Sequence, residues 1–279
     1  MNYRHAYHAG NFADVMKHAA LTLAITHMKQ KEKPFFLLDT HAGTGQTDLT
    51  GTEAQKTGEY RDGIARLLAH AAPHEALAPY LDTLKALGCQ GTQPALYPGS
   101  PLIAYHLARA DDRLAFCELH PEDATTLREN FHRVPNVKVH EIDGYGALRA
   151  MLPPKERRGI VLTDPPFESR TEFDRILAEL AEGLKRFATG CYLIWYPVKD
   201  PSISGAFLDQ LERDGPPKTL RAELLVRSDD DPTRMSGSGL VIINPPWQMD
   251  EILSDMLAWL APVLEQGQGA TARVNWLQK

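Results

Sequence analysis

The tetrapeptide Asp164-Pro165-Pro166-Phe167 places a carboxylate, two prolines and a flat aromatic face within four residues. Consecutive prolines hold the backbone extended and remove two N–H donors, which leaves carbonyl oxygens free to accept from a substrate amine. The exocyclic amine of an adenine needs such acceptors. Its lone pair is delocalised into the ring, and it becomes a nucleophile only when its hydrogens are held and the nitrogen is drawn towards tetrahedral geometry. Asp164 and the Pro165 carbonyl supply two acceptors, and Phe167 offers a face for a base drawn out of its stack, a contact worth about 1–3 kcal/mol. Asn244-Pro245-Pro246-Trp247 has a similar composition. It follows a late apolar run, Val241-Ile242-Ile243, and is read as a turn into a helix from Ile252; contact with the substrate is the alternative.

Three further signals precede the tetrapeptide, each at the end of an apolar run. After Asp39, the loop His41-Ala42-Gly43-Thr44-Gly45 has two glycines that let backbone approach a ligand closely, although a plain turn would look the same. Glu118 ends Ala115-Phe116-Cys117-Glu118, where an acidic side chain in a Rossmann-like sheet accepts from ribose hydroxyls; a solvated acid at a strand end is the alternative. Asp143, followed by Gly144, can accept from the adenine amino group of a nucleoside cofactor, or can form an Asp-Gly turn.

The N-terminus mixes aromatic and cationic groups: Tyr3, Arg4, His5, Tyr7 and His8, then Lys17 and His18. Such a mix suits base stacking and phosphate contact; a solvated lead-in to a helix fits equally. A zinc site of His5, His8 and His18 lacks cysteine partners and is set aside, so no metal is expected.

The elements that must hold these groups follow a βα rhythm. A helix is predicted over 14–29, with Leu21, Ile25 and Met28 on its buried face and its Lys and His residues elsewhere. Strands are predicted at 35–38, 113–118, 137–142, 159–163 and 191–196, with later candidates at 220–226, 240–243 and 272–276. Between Gln46 and Tyr97 the rhythm breaks into a polar, helical pattern with no clear strand. Removing those roughly 50 residues brings Glu118 near the spacing of about 20 from the glycine loop that a dinucleotide fold uses. The pattern resumes at Pro98-Gly99-Ser100-Pro101, where Ser100 can cap a helix and Pro101 take its first position. The fold class is therefore α/β: a Rossmann-like, mostly parallel sheet with helices on both faces, formed by residues 1–45 and 98–279, with a small helical insertion over 46–97. Lys56, Arg61 and Arg66 would let the insertion touch RNA; a neutral strut is the alternative.

With 279 residues, 43% of them apolar, the chain can bury a substantial core. Its net charge of −6 argues against coating nucleic acid by bulk electrostatics, so any RNA contact must come from local patches. No apolar run nears the roughly 18 residues of a membrane span, the N-terminus lacks the layout of a signal peptide, and Cys89, Cys117 and Cys191 form no CxxC pair. A cytoplasmic protein with buried thiols is expected.

These residues together resemble the bacterial 23S ribosomal RNA adenine N6-methyltransferase family, over essentially the full chain: YRHAYHAGNFADVMKH, LDTHAGTG, TGEYRDGIARL, YPGSPLIA, ELHP, DPPFE, KRFATGCYLIWYPV and INPPW. The resemblance implies a monofunctional S-adenosylmethionine-dependent methyltransferase acting on one adenine of 23S rRNA, as protein-free RNA or an early assembly particle; a monomer is expected. It implies His18, His41, Ser100, Glu118, Asp143, Gly144 and Asp164 at the cofactor, Asp164 as the catalytic acceptor, and Tyr3, His5 and Lys17 at the substrate or in catalysis, beside the Gly43, Pro165 and Phe167 already read from the residues. The family often carries Tyr where this chain has Phe167, a change that keeps stacking and removes a hydroxyl. A DNA adenine N6-methyltransferase would use the same tetrapeptide, and a non-catalytic RNA or cofactor-binding module would have no use for an intact Asp164. A nicotinamide-dependent dehydrogenase would want GxGxxG where this chain has Gly43-Thr44-Gly45-Gln46-Thr47-Asp48.

Overall fold

A computed structural model describes residues 5–169 and 171–279 of the chain; Tyr3, expected at the substrate, lies outside them. The elements run α1 (Phe12–Met28), β1 (Phe36–Asp39), β2 (Gln46–Asp48), α2 (Thr52–Thr57), α3 (Ile64–Ala69), α4 (Ala78–Ala86), β3 (Leu96–Pro98), α5 (Ser100–Leu107), β4 (Arg113–Cys117), α6 (Pro121–Asn130), β5 (Val137–His140), α7 (Gly144–Met151), β6 (Gly159–Thr163), α8 (Glu172–Arg186), β7 (Cys191–Val198), α9 (Pro201–Asp214), β8 (Thr219–Leu225), β9 (Gly237–Ile243), α10 (Met249–Val263) and β10 (Thr271–Gln278).

Eight strands form one sheet in the order β10-β8-β9-β7-β6-β1-β4-β5. From β7 to β5 every neighbouring pair is parallel, whereas β9 runs antiparallel between β7 and β8, and β10 antiparallel to β8. This is the Rossmann-like α/β sheet expected from the βα rhythm. Central strands are buried on both faces, and their alternate residues feed two cores. Leu37, Phe116, Ile160, Leu162 and Leu193 pack with α1, α5 and α10 on one side. Phe36, Leu38, Ala115, Val161 and Ile194 pack with α7, α8 and α9 on the other. Cys89, Cys117 and Cys191 are buried free thiols. Among the described residues no helix is long and apolar enough to cross a membrane.

Register aligns the candidate residues. Asp39 pairs with Phe116 and with Leu162, so Glu118 and Asp164 stand on either side of β1, each two positions beyond a partner of Asp39. Because β9 runs the other way, its carboxyl end, carrying Asn244, lies at the opposite edge, where Ile243 pairs with Tyr192 near the start of β7. Asn244 Nδ2 there donates to the carbonyls of Ala188 and Gly190, at 2.8 and 2.9 Å. The second proline pair thus sits away from the first four strands, in a turn into α10, which begins at Met249 rather than Ile252.

Three local expectations are corrected. The helix α1 has no single buried face. Asp14, Lys17 and His18 are buried along with Val15, Met16 and Leu21, because the helix packs against the sheet, α4, α5 and α10. The segment 46–97 is not free of strands: β2 and β3 pair at its neck, and the apolar side chains Ile64, Leu67, Leu77, Tyr80 and Leu84 share a core with α1. Finally, Gly99 and not Ser100 caps α5; Ser100 is already helical and makes no cap, its hydroxyl being spent on Asp39.

Candidate functional site

A cleft opens at the carboxyl edge of β1, β4 and β6, walled by the loop after β1, Glu118, the start of α7, Asp164 and the N-terminal segment. Such edges are where open α/β sheets bind ligands. In the loop after β1, Gly43 and Gly45 adopt φ of +61° and +83°, a left-handed conformation that favours glycine. The turn aims the Gly43 N–H at Glu118 Oε2, 2.8 Å away, while Glu118 Oε1 accepts from the His120 N–H at 2.7 Å. Burial pushes the Glu118 carboxyl above its usual range. Each oxygen keeps a second lone pair, so Glu118 can still accept from ligand hydroxyls.

Across the cleft, Asp143 caps α7 through its own carboxylate, which accepts from the Tyr145 N–H at 3.1 Å. Its other oxygen takes a 2.8 Å bond from Arg175, whose guanidinium also lies 4.0 Å from the centre of the Tyr145 ring. Asp143 is therefore both a helix cap and an ion-pair partner, and its half-exposed carboxylate also faces the cleft. Gly144 is required by close approach, because a Cβ there would stand 1.9 Å from the Thr40 carbonyl oxygen. His41 packs edge-on to Tyr145, and burial brings its imidazole down to about 4, so the ring is neutral near pH 7.

The floor holds a chain of charges. Asp39 is buried, accepts from Ser100 Oγ at 2.6 Å, and is pushed up to about 6 by burial. Next to it, Lys17 donates to Asp164 and, at 2.8 Å, to Asp14. Asp14 also accepts from His5 Nε2 at 3.1 Å and from the Gly10 N–H at 2.9 Å. Burial opposes charge on Lys17, but the two carboxylates outweigh it and raise the ammonium above its ordinary range. For His5, too, burial is outweighed by Asp14, and the imidazole is raised. His18 is different: burial brings it down to about 3, and the neutral ring shares a 2.8 Å hydrogen bond with the Tyr97 hydroxyl, itself bonded to Tyr80 at 2.8 Å.

The structure thus brings His5, Lys17, His18, His41, Gly43, Ser100, Glu118, Asp143, Gly144 and Asp164 to one cleft. The loop 164–167 divides. Asp164 and Pro166 stand on the wall, Pro165 is buried, and Phe167 turns to pack on Phe173 and Trp195, with ring centres 4.9 and 5.5 Å away. Phe167 has φ of +50°, a costly conformation for a bulky residue and one that clusters at functional sites. The three N-terminal histidines go to separate partners, His5 to Asp14, His8 to Glu59 and His18 to Tyr97. In the insertion, Lys56 lies over the Tyr7 ring, Arg61 binds Gln55 and Arg66 binds Asp62 and the Glu265 carbonyl.

Sequence reasoning missed Asp14, Tyr145, Glu172 and Arg175. For Asp14 a signal existed, since Lys17 and His18 follow it at the i+3 and i+4 positions of one helix face. For Arg175 none did: only the placement of α8 beside α7 brings it to Asp143.

A family profile described as "Ribosomal RNA large subunit methyltransferase D, RlmJ" matches residues 32–278. The chain is 44% identical to the Haemophilus influenzae protein named ribosomal RNA large subunit methyltransferase J and 42% identical to the Escherichia coli protein of that name, in each case over 99% of both chains. Among solved structures, protein LPL1258 of Legionella pneumophila superposes with a TM-score of 0.87 at 34% identity, covering 96% of this chain and 98% of the other.

Proposed function

Since the chain belongs to the RlmJ family of ribosomal RNA large subunit methyltransferases, we propose that it transfers a methyl group from S-adenosylmethionine to the exocyclic N6 of one adenine in 23S rRNA. The observation that carries this reading is the position of Asp164. It stands at the carboxyl edge of β6, level with Glu118 across β1, with one carboxylate oxygen engaged by Lys17. The other oxygen is left to accept from an amine.

The donor set suits a nucleoside cofactor. Glu118 offers acceptors for ribose hydroxyls, Asp143 an acceptor for an adenine amino group, and the Gly43 turn backbone at close range. His18, His41, Ser100 and Gly144 shape the same walls. S-adenosylmethionine supplies an electrophilic methyl group on a sulfonium centre whose charge is lost as the methyl leaves.

This chain's own residues then have four tasks. Asp164 Oδ1 and the Pro165 carbonyl accept the two N6 hydrogens, which localises the nitrogen lone pair and points it at the methyl carbon. As the nitrogen gains the methyl group that the bound cofactor would supply, Asp164 would take the displaced N6 proton and pass it to solvent. Lys17, held protonated by its two carboxylates, orients Asp164 and does not act as the base. Phe167, whose ring packs on Phe173 and Trp195, would offer the target base a face for stacking. His5, beside Lys17, faces the entering RNA.

The test is transfer from labelled S-adenosylmethionine to protein-free 23S rRNA and to double-stranded DNA, with nucleoside analysis and Asp164→Ala in parallel. N6-methyladenosine in the RNA alone, lost in the variant, is the expected result. Transfer to DNA, another methylated nucleoside, or activity that survives Asp164→Ala would overturn it.

A further inference from the structure

Asp14 is 1% exposed, yet it is the point at which three elements of the site meet. One oxygen takes the Lys17 ammonium at 2.8 Å and faces His18 Nε2 at 3.9 Å; the other takes His5 Nε2 at 3.1 Å and the Gly10 N–H at 2.9 Å. Its own backbone N–H is given to the Asn11 side chain at 3.0 Å, which pins it in the first turn of α1. Asp14 does not line the cleft, whereas His5, Lys17 and Asp164 do.

A buried carboxylate is costly unless its charge and lone pairs are matched. Helix capping does not explain this one, because Asn11 already performs that role. What Asp14 adds is geometric. Lys17 has a long, rotatable stem and a point charge with no preferred direction. Held by Asp164 alone, its ammonium could move around that carboxylate and engage either oxygen. A second carboxylate fixed in the helix one turn earlier removes that freedom, leaving Lys17 on Oδ2 of Asp164 and Oδ1 open. The same anion holds the His5 ring at the cleft.

We infer that Asp14 is a positioning residue, which acts through Lys17 to fix the orientation of the Asp164 carboxylate without touching either reactant. The inference rests on Asp164 being the acceptor for the substrate amine. Groups around Asp14 are His5 from the N-terminal segment, Lys17 and His18 from its own helix, Glu59, Tyr80 and Tyr97 from the segment 46–97, and Asp164, beyond Lys17, from the end of β6.

Methyl transfer to protein-free 23S rRNA is measured under single-turnover conditions for Asp14→Asn, Lys17→Met and the double variant, with cofactor affinity measured by calorimetry on each. Asp14→Asn is expected to slow transfer by about tenfold to a hundredfold, the scale of a small misplacement of a reacting group, with cofactor affinity within about threefold of wild type. The double variant is expected to be no slower than Lys17→Met alone, since both lie on one route. Independent, multiplying losses would overturn the inference, as would wild-type transfer in Asp14→Asn.

Asp14→Glu provides a second measurement should Asp14→Asn fail to fold. It keeps the charge and displaces it by one methylene, so transfer slows while cofactor still binds; a wild-type rate there would also overturn the inference. If Asp164→Ala retains activity, the proposed function itself fails. If Asp164→Ala is inactive and the Asp14 and Lys17 losses multiply, only the role of Asp14 does.

Discussion

Lys17 of α1 donates to Asp164 at the end of β6, joining residues 147 positions apart in the chain. Asp14 holds the same ammonium at 2.8 Å, and the lysine side chain is only 4% exposed. A cation so placed both orients the carboxylate that faces the cleft and neutralises two acids that burial would otherwise penalise.

Lys17→Met should therefore do two things. Breaking a buried ion pair by removing one partner leaves uncompensated charge, so denaturant unfolding should show a loss of about 3 kcal/mol. Methyl transfer should fall more than cofactor affinity does, because Lys17 orients Asp164 rather than anchoring the nucleoside. Equal stability and activity to wild type would contradict both roles.

Ser100 and Asp39 give a pH-dependent case. Burial brings the Asp39 carboxyl up to about 6, against an ordinary 3.8. The folded state therefore binds more protons than the unfolded state between these values, and the cost of ionising Asp39 is absent below 3.8, grows as pH rises, and is complete above about 6. The Ser100 hydroxyl donates to the ionised form at 2.6 Å. Ser100→Ala should destabilise by about 1.5–3 kcal/mol at pH 7 and by less near pH 4, where the carboxyl is already protonated. Unfolding curves at the two pH values check this, and an equal loss at both would contradict it.

Phe167 closes the 164–167 loop at a positive φ while its ring packs on Phe173 and Trp195. Phe167→Ala removes that anchor along with the stacking face, and single-turnover transfer should drop about tenfold to a hundredfold. Phe167→Tyr retains the ring and should stay near wild type.

Trp247 is 81% exposed, in the turn at the opposite edge of the sheet. Trp247→Ala should leave the rate of methyl transfer unchanged and move stability by no more than about 0.5 kcal/mol. A large rate loss would mean that the second proline pair contributes to substrate binding after all.

Much of the fold is legible in the sequence because burial leaves a periodic signal. The strands at Phe36–Asp39, Arg113–Cys117 and Gly159–Thr163 are short apolar runs that close on polar residues, and α8 shows its buried positions at helical spacing. Where such signals weaken, the reading fails. β2 and β3 are three residues each, too short to show alternation, and their pairing spans the whole insertion. The helix α1 is packed on every side over its first turns, so charged Asp14 and Lys17 interrupt the apolar pattern while being as buried as the leucines.

By itself the sequence determined the succession of strands in the main sheet and the carboxyl-edge position of Glu118 and Asp164, because these depend on local residue types and strand-length periodicity. Only the tertiary structure decided that Lys17 reaches Asp164 through Asp14's side of α1, that Ser100 serves Asp39 rather than a helix end, that Arg175 engages Asp143, and that Asn244 ends a reversed strand. Each of those is a meeting of segments far apart in the chain. Which side chains meet is set by how helices pack on a sheet and by strand direction, and neither is written in the spacing of neighbouring residues.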